Sequence, residues 1–596
     1  MELNPQQWYN QERIKINANS ILIRRKIKVI STVRLALFVS ILLAILFLYQ
    51  HHYLLGSILF ALSLTAFLFA VKRSLEQKKK LHQAETAIQI IQLECNALMG
   101  KPSGIDSGTD LLDLKHPFAH DLDLFGKHSL WHYLNRTLTF DGRKLLADAL
   151  LNPQLNKDEL IQKQAIVSEL KNQPETLLHF RVHGLSEQEN PAPASQIENW
   201  LNEEISLSQK PLIRYGRWIF SAIALISILG FSLNLLPAWC LSTALALNFI
   251  MLGTTIKQIN FIHQKHSGIV KTIAHHEALL AYVSQLKFEH PRLTEIQEDA
   301  QHSLQAIKDL HRALNRFDVR LNGFMGIVMN IVFMFDYHCI VEIESWKNNY
   351  RNALQKSLKN MAMMEYSISL ANFAFQRPNF NFPQFTSQHC MQAEGLFHPL
   401  LNIEKAVSNT LSLGENEKMV LLTGANMTGK STWLRAIGLN ATLAYLGLPI
   451  AAKSAQFPLL RIYTSMRITD DLEEGISYFK AEISRLQALL TSIRNSDAVW
   501  LFLIDEPLRG TNAGDKQAGT IGIIKNLITL NALGILASHD AALSNLEIEH
   551  PGKIKNYHFD SEIIGNELSF DYTLKSGCST SNNATLLMKL NGILLD

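Results

Sequence analysis

The chain has 596 residues, with 56 Lys and Arg against 53 Asp and Glu, for a formal net charge of +3. That length accommodates several domains, and that charge is too small to define a nucleic-acid binder by global excess, since phosphate contacts need a local cluster. The five cysteines (Cys95, Cys240, Cys339, Cys390, Cys578) have neither CxxC nor metal-ligand spacing, which speaks against a cysteine-built metal site and suits a reducing compartment.

In chain order, the first strong signal is residues 35–71, which contain no Asp, Glu, Lys or Arg and are interrupted only by Gln50, His51 and His52. A spanning helix needs roughly 20 apolar residues. The block is therefore sized for two spans and a tight turn, a first transmembrane hairpin. A pair of buried core helices is the alternative, but a soluble helix normally keeps a polar stripe. Residues 218–256 repeat the pattern around Asn234 and Pro237, a second hairpin. Arg24, Arg25, Lys26, Lys28 and Arg34 precede the first block, and Lys72, Arg73 and Lys78 to Lys80 follow it. Arg214 and Arg217 precede the second, with Lys257 and Lys265 after. Basic feet and uncharged tips place the soluble parts in the cytoplasm, with the chain multi-pass in the inner (cytoplasmic) membrane. No cleaved signal peptide is expected, because the apolar run starts far from Met1 and no small-residue cleavage site follows it.

Residues 74–97, 154–180 and 262–375 read as mostly helical. Residues 323–335 are apolar but short for a span, and are expected as a buried core helix or a face against the membrane. The stretches 189–195 and 376–383, rich in Pro and Asn, read as linkers.

The carboxy-terminal third carries the chemistry. TGANMTGKST at residues 423–432 contains Gly424-x-x-x-x-Gly429-Lys430-Ser431, the P-loop pattern. The apolar run 418–423 precedes it as a strand, and 433–444 follows as a helix. Gly424, Ala425, Asn426, Met427, Thr428, Gly429, Lys430, Ser431 and Thr432 then form the nucleotide loop, whose N–H groups wrap the phosphates of ATP. Lys430 neutralises the β- and γ-phosphates, and the Ser431 hydroxyl is placed for Mg²⁺. A second apolar run, 498–504, ends in Asp505 and Glu506. The aspartate is the expected metal-side acid, and the glutamate the residue that orients or deprotonates water. By itself, such an acid pair is as often a strand cap, and its place after the P-loop favours catalysis. A third run, 533–538, ends in His539, expected near the γ-phosphate, although a lone histidine is usually structural.

These segments, with DDLEEGISYFKAEISRL at 470–486, LIDEPLRGTNAGD at 503–515 and ILASHD at 535–540, resemble in order and spacing the ATPase domain of the MutS family, itself similar to ABC-type ATPases. Asn426-Met427 within the loop and Arg509-Gly510-Thr511 after the acids are the residues most particular to that resemblance. Thr428 stands where the family usually has glycine, and Pro507-Leu508 where it has small or apolar residues. Residues 568–577 and 579–593 resemble the family's closing strand and helix. Upstream, 122–146, Asn152-Pro153 and 162–170 are similar to the start of the MutS core, and 365–374 with His398-Pro399 to its junction with the ATPase domain. Nothing corresponds to the mismatch-reading and connector domains.

The resemblance implies a homodimer through the ATPase domains, with Ser477 closing the partner's ATP site and Thr511, Asn512 and Asp515 along the seam. A simple helix cap is the other reading of Ser477. Double-stranded DNA is an implied partner, and membrane lipid follows from the hairpins. The expected fold is an α-helical core with two transmembrane helical hairpins plus a C-terminal α/β P-loop (ABC-like) ATPase domain. The divisions are 1–34 (amino-terminal segment), 35–71 (hairpin 1), 72–217 (core, first part), 218–256 (hairpin 2), 257–387 (core and lever, second part) and 388–596 (ATPase domain). The expected function is a membrane-anchored MutS-like ATPase with catalytic Glu506, His539 and Lys430, metal-side Ser431 and Asp505, and ATP and Mg²⁺ as cofactors. The rival reading is an ABC-like ATPase driving a membrane process or transport without DNA. It is weakened because the spans' only amides are Gln50, Asn234 and Asn248, little polar lining for a pathway.

Overall fold

The structure is a computed structural model and describes residues 4–186, 194–203, 207, 209–402, 404–414, 417–425, 428–467, 478–564 and 567–578. Helix α1 (Pro5–Tyr49) begins where the Asn4 side chain accepts from the N–H groups of Gln6 and Gln7 at 3.0 and 3.4 Å, with Pro5 in the first turn, where its missing N–H is harmless. It breaks at Gln50 to His52, as the polar interruption predicts. His51 takes φ 66°, and α2 (Tyr53–Leu98) runs back. Arg24 meets Glu85 at 2.6 Å, Arg34 meets Ser74 at 3.5 Å, and Ser40 and Ser63 share a 2.7 Å hydrogen bond, which fixes an antiparallel register. Leu35, Phe38, Leu42, Leu46, Leu54, Leu62 and Phe69 face outward, exposed. Apolar surface of that extent is unfavourable in water.

The core follows as α3 (Leu130–Leu134), α4 (Phe140–Leu151), α5 (Lys157–Lys171), α6 (Pro174–Leu185), α7 (Ala194–Asn202) and α8 (Pro211–Arg214). The second apolar block gives α9 (Gly216–Ser232) and the start of α10 (Ala238–Val283), with the break at the predicted Asn234–Pro237 turn. Among the described residues three helices are long and apolar enough to cross a membrane: Pro5–Tyr49, Tyr53–Leu98 and Ala238–Lys265. The 17 residues of α9 rise about 26 Å at the helical repeat, somewhat less than the roughly 30 Å of a hydrocarbon core.

Then come α11 (Pro291–Asp318), α12 (Gly323–Phe333) and α13 (Phe335–Phe375). The buried-core expectation for 323–335 is corrected: α12 leans on α9 and α10 with one side only, and Phe324 is 80% exposed on the other. Ile91, Phe180, Ile273, Leu310, Ile340 and Ile368, from α2, α6, α10, α11 and α13, form one apolar core. Inside it Glu94 is fully buried and accepts from Arg136 at 2.6 and 2.9 Å and from Arg181. Burial opposes its ionisation, but the two guanidiniums outweigh that and hold the carboxyl below the usual range.

The carboxy-terminal part is α/β with mixed strands. A four-stranded sheet has the order β1 (Gln384–Thr386), β5 (Ser454–Pro458), β2 (Met391–Leu396), β3 (Asn409–Leu413). The larger sheet has the order β10 (Glu567–Ser576), β9 (Ile554–Ile564), β4 (Met419–Thr423), β8 (Ala532–Ala537), β7 (Trp500–Asp505), β6 (Arg461–Ser465). All its neighbours are parallel except β10 with β9. Strands β4, β7 and β8 are buried throughout, which is why they read as unbroken apolar runs. Helices α14 (Lys430–Tyr445), α15 (Tyr478–Arg494) and α16 (Ala513–Leu527) complete this part. The closing helix expected at 579–593 and most of the 189–195 linker lie outside the described residues.

A buried carboxylate helps fasten the helical part to this sheet. Asp121 is fully buried and accepts from Thr464 Oγ1 (2.7 Å), the N–H groups of Met466 and Arg467 (3.1 and 2.9 Å) and the Arg485 guanidinium (3.0 Å). Beside it, Asp123 pairs with Arg467 and lies 3.6 Å from Arg435 on α14.

Candidate nucleotide site

Strand β4 delivers Thr423 into a loop that only glycine can start. Gly424 has φ 142°, and a Cβ there would lie 2.8 Å from the Phe559 carbonyl oxygen. Thr428 Oγ1 donates to the Ala425 carbonyl at 2.8 Å, so the threonine at the departure position serves the loop's own conformation. Gly429 (φ 100°) precedes α14 and brings no capping side chain. The first N–H groups of a helix have no intrahelical acceptor, so α14 presents them to the cleft. Asn426 and Met427 lie outside the described residues.

Lys430 is buried and donates to the carbonyls of Gly424 (2.7 Å) and Ala425 (2.8 Å). Burial pushes its ammonium down to about 8, with the carboxylates of Glu506 and Asp505 opposing. Ser431 Oγ donates to Asp505 Oδ2 at 2.5 Å. Glu506 follows with φ 48° and lies against His539 on one oxygen and Arg509 Nε, at 3.0 Å, on the other. The His539 hydrogen bond is the main reason its carboxyl is lowered to about 2, against the cost of burial. His539 Nδ1 is 2.6 Å from the Gly424 carbonyl, so the ring bridges the loop and the acid. The structure thus brings Gly424, Lys430, Ser431, Asp505, Glu506 and His539 together. Thr432 lines the same cleft from the first turn of α14.

Asn512 and Asp515 sit elsewhere: they are exposed, and the Asn512 side chain caps α16 by accepting from the Asp515 N–H at 2.9 Å. Ser477 lies outside the described residues.

Several contributors escaped sequence reasoning. Glu482 on α15 is buried and accepts the N–H groups of Leu508 (2.6 Å) and Arg509 (3.1 Å), which holds the turn after the acids with Leu508 at φ 61°. That explains how Pro507-Leu508 is accommodated. Tyr572, at a register shift in β10, stands against Gly429 and lines the cleft with Val407, Leu401 and Phe559. Asn409 ties it in place, donating to the Tyr572 carbonyl (3.0 Å) and accepting from the Leu574 N–H (2.7 Å). The cleft encloses about 480 Å³ and is lined by polar side chains such as Lys430 and Asp505 and by apolar ones such as Val407 and Phe559.

The residues fit a polyphosphate and a hard cation. A desolvated ammonium and free helix N–H groups suit phosphate, while a hydroxyl beside a carboxylate supplies the oxygen donors that Mg²⁺ takes along with phosphates and water. No group of three or more His, Cys, Asp or Glu that could cage a metal occurs among the described residues.

A largely parallel sheet thus gathers a buried lysine, a hydroxyl and two acids beyond the carboxyl ends of β4 and β7. Residues 420–593 match the family model of MutS domain V. MutS domain V is the ATPase-type domain of the MutS family, and it is this part of the chain that is similar to that family.

Proposed function

We propose that the protein is a membrane-anchored MutS-type ATPase that binds ATP and hydrolyses it as a homodimer. The observation that carries this is the convergence of Lys430, Ser431, Asp505 and Glu506 around one cleft with a glycine loop at its floor. In this reading, Lys430 turns from the Gly424 and Ala425 carbonyls to the β- and γ-phosphates. The first-turn N–H groups of α14 hold the remaining phosphate oxygens. Val407 and Tyr572 offer an apolar surface, which suits a base. Ser431 and Asp505 would hold Mg²⁺, whose charge neutralises the triphosphate. Glu506 orients water and takes its proton once Arg509 releases the carboxylate, while His539 keeps it aimed at the loop.

The divisions 1–34, 35–71, 72–217, 218–256, 257–387 and 388–596 describe the chain in this reading. The hairpins anchor it in the cytoplasmic membrane with its soluble parts inside. Ser477 closes the cleft of the second copy. DNA binding is carried over from the family, which acts on DNA as dimers. With no segment assigned to reading a base, contacts fall on phosphates and DNA shape.

The test uses the full chain in detergent. ATP hydrolysis is measured for wild type and Lys430→Ala, with titrations on matched and mismatched duplexes at two salt concentrations. Hydrolysis that depends on Lys430, with salt-sensitive binding that scarcely distinguishes the duplexes, supports the reading. Hydrolysis without DNA binding at low salt would favour an ATPase that drives a membrane process.

A further inference from the structure

Residues 321–335 carry no Asp, Glu, Lys or Arg, yet α12 is exposed along one side, with Phe324 at 80% and Ile327 at 59%. Two contacts fix where it lies along α10. At its start, Arg320 donates to the Ile259 carbonyl (3.3 Å) and to Asn260 Oδ1 (2.8 Å). At its end, Asn248 Nδ2 donates to the Ile331 carbonyl at 2.7 Å. Twelve residues of α10 between those points rise about 18 Å. The helix therefore climbs from the basic foot of the Ala238–Lys265 span to near its middle, and stops there.

The chain then bends by 82° between α12 and α13, with Met334 at φ 51°. The backbone groups near the bend are met by side chains. Asn248 takes the Ile331 carbonyl, and Asn330 Oδ1 accepts the Asp336 N–H at 2.8 Å. Asp336 and Arg320 pair at 3.2 Å, with side chains 1% and 9% exposed. A helix broken in hydrocarbon must have its freed groups satisfied by its own or neighbouring helices. Two asparagines in otherwise apolar stretches do that here, whereas a break in water would need neither. Beyond the bend, the Tyr337 hydroxyl donates to the Met251 carbonyl (3.1 Å) and is 2.7 Å from Thr255 Oγ1, so α13 is already heading back toward the foot.

We infer that α12 is a re-entrant membrane helix, resting on the membrane reading above. It enters the inner leaflet beside α9 and α10, turns at Met334, and leaves on the side it came from. Its Phe324 and Ile327 face lies on lipid acyl chains, continuous with the apolar faces of α9 and α10. The consequence reaches the ATPase domain. Helix α13 runs unbroken from the bend for 41 residues, and its end, at Phe373 and Ala374, shares a core with Leu434 and Ile437 of α14. The depth of α12 in the lipid is thereby linked to the helix that begins with Lys430.

The test places a fluorescent side chain at Ile327, at Phe324, at Leu247 on α10 or at the exposed Lys359 on α13. The full chain is reconstituted in phosphatidylcholine and phosphatidylglycerol vesicles whose acyl chains carry bromine quenchers. The expected result is a loss of emission at Ile327 and Phe324 equal to that at Leu247, with none at Lys359. Quenching at Leu247 without quenching at Ile327 or Phe324 overturns the re-entrant helix and leaves the anchor standing. An unquenched Ile327 signal that changes as protein is diluted in lipid also overturns it, because a second copy would then cover the face. Absence of quenching at all four positions removes the membrane reading itself.

Discussion

Ser431 Oγ donates to Asp505 Oδ2 across 2.5 Å, joining the first turn of α14 to the end of β7. The hydroxyl and the carboxylate already lie where one cation could bridge both, and the bond between them is what that cation would replace. Ser431→Ala should therefore raise the Mg²⁺ concentration needed for half-maximal hydrolysis while leaving nucleotide affinity without metal nearly unchanged. A magnesium titration of both proteins checks this. An unaltered Mg²⁺ dependence would confine Ser431 to tying down Asp505.

Glu506→Gln should retain ATP binding and slow hydrolysis by at least about 10²-fold, the scale of a lost general base. The same variant has a pH signature. In the folded protein the Glu506 carboxyl titrates at about 2, against an ordinary 4.5. A depressed acid contributes stability that is full above the ordinary value and is lost as pH falls through the folded one. Melting curves recorded from neutral pH down toward pH 2 should show a shallower acid decline for the variant. Wild-type turnover in the variant would reduce Glu506 to a turn residue.

In Lys430 it is the charged form that the fold disfavours. Its ammonium is destabilised by burial, with the folded value at about 8 against an ordinary 10.5. Between those values the folded chain binds fewer protons than the unfolded one, so stability from this group rises with pH there. A triphosphate supplies the missing countercharge and raises the value again. ATP binding near pH 9 should thus take up a fraction of a proton, read by calorimetry in buffers of different ionisation enthalpy. Proton release would contradict the placement of Lys430 at the phosphates.

Asp121→Ala removes the acceptor for Thr464, Met466, Arg467 and Arg485 at once. Breaking a buried ion pair by deleting one partner costs about 3 kcal/mol or more. Thermal unfolding of the carboxy-terminal part should drop accordingly, with Asp121→Asn losing less because its amide oxygen still accepts. Equal melting temperatures for wild type and Asp121→Ala would leave the junction to apolar packing and to the Asp123 ion pairs.

Asp121 also marks where the sequence stops being legible. The glycine loop, β4, β7 and β8 could be read locally, because a fully buried parallel strand is an apolar run and positive-φ glycines punctuate its end. The helix breaks at Gln50 to His52 and at Asn234 to Pro237 were legible for the same reason, polar residues interrupting uniform apolarity. Asp121, Glu482 and Tyr572 were not, since their partners are set by tertiary approach and none has a local pattern. Glu482 looks like any helical acid until α15 brings it to the Leu508 and Arg509 N–H groups. The sequence left open whether α12 is a buried core helix or an exposed face, because an apolar helix reads alike in both settings.

The last prediction concerns Ser477. Among the described residues, the cleft is lined from the 398–409 stretch, α14, the turn after β7, and Phe559 and Tyr572, with nothing from α15. Ser477, which precedes α15 in sequence and lies outside the described residues, is implied by the MutS resemblance to serve a second copy of the chain. Mixing Ser477→Ala subunits with Lys430→Ala subunits separates the cases. If Ser477 acts across the interface, the heterodimer pairs an intact lysine in one chain with an intact serine in the other, and part of the activity returns on mixing. If Ser477 serves its own chain, each subunit carries its own defect and mixing restores nothing. Formation of heterodimers is confirmed by two affinity tags. No recovery of hydrolysis in tagged heterodimers would return Ser477 to a helix-capping role.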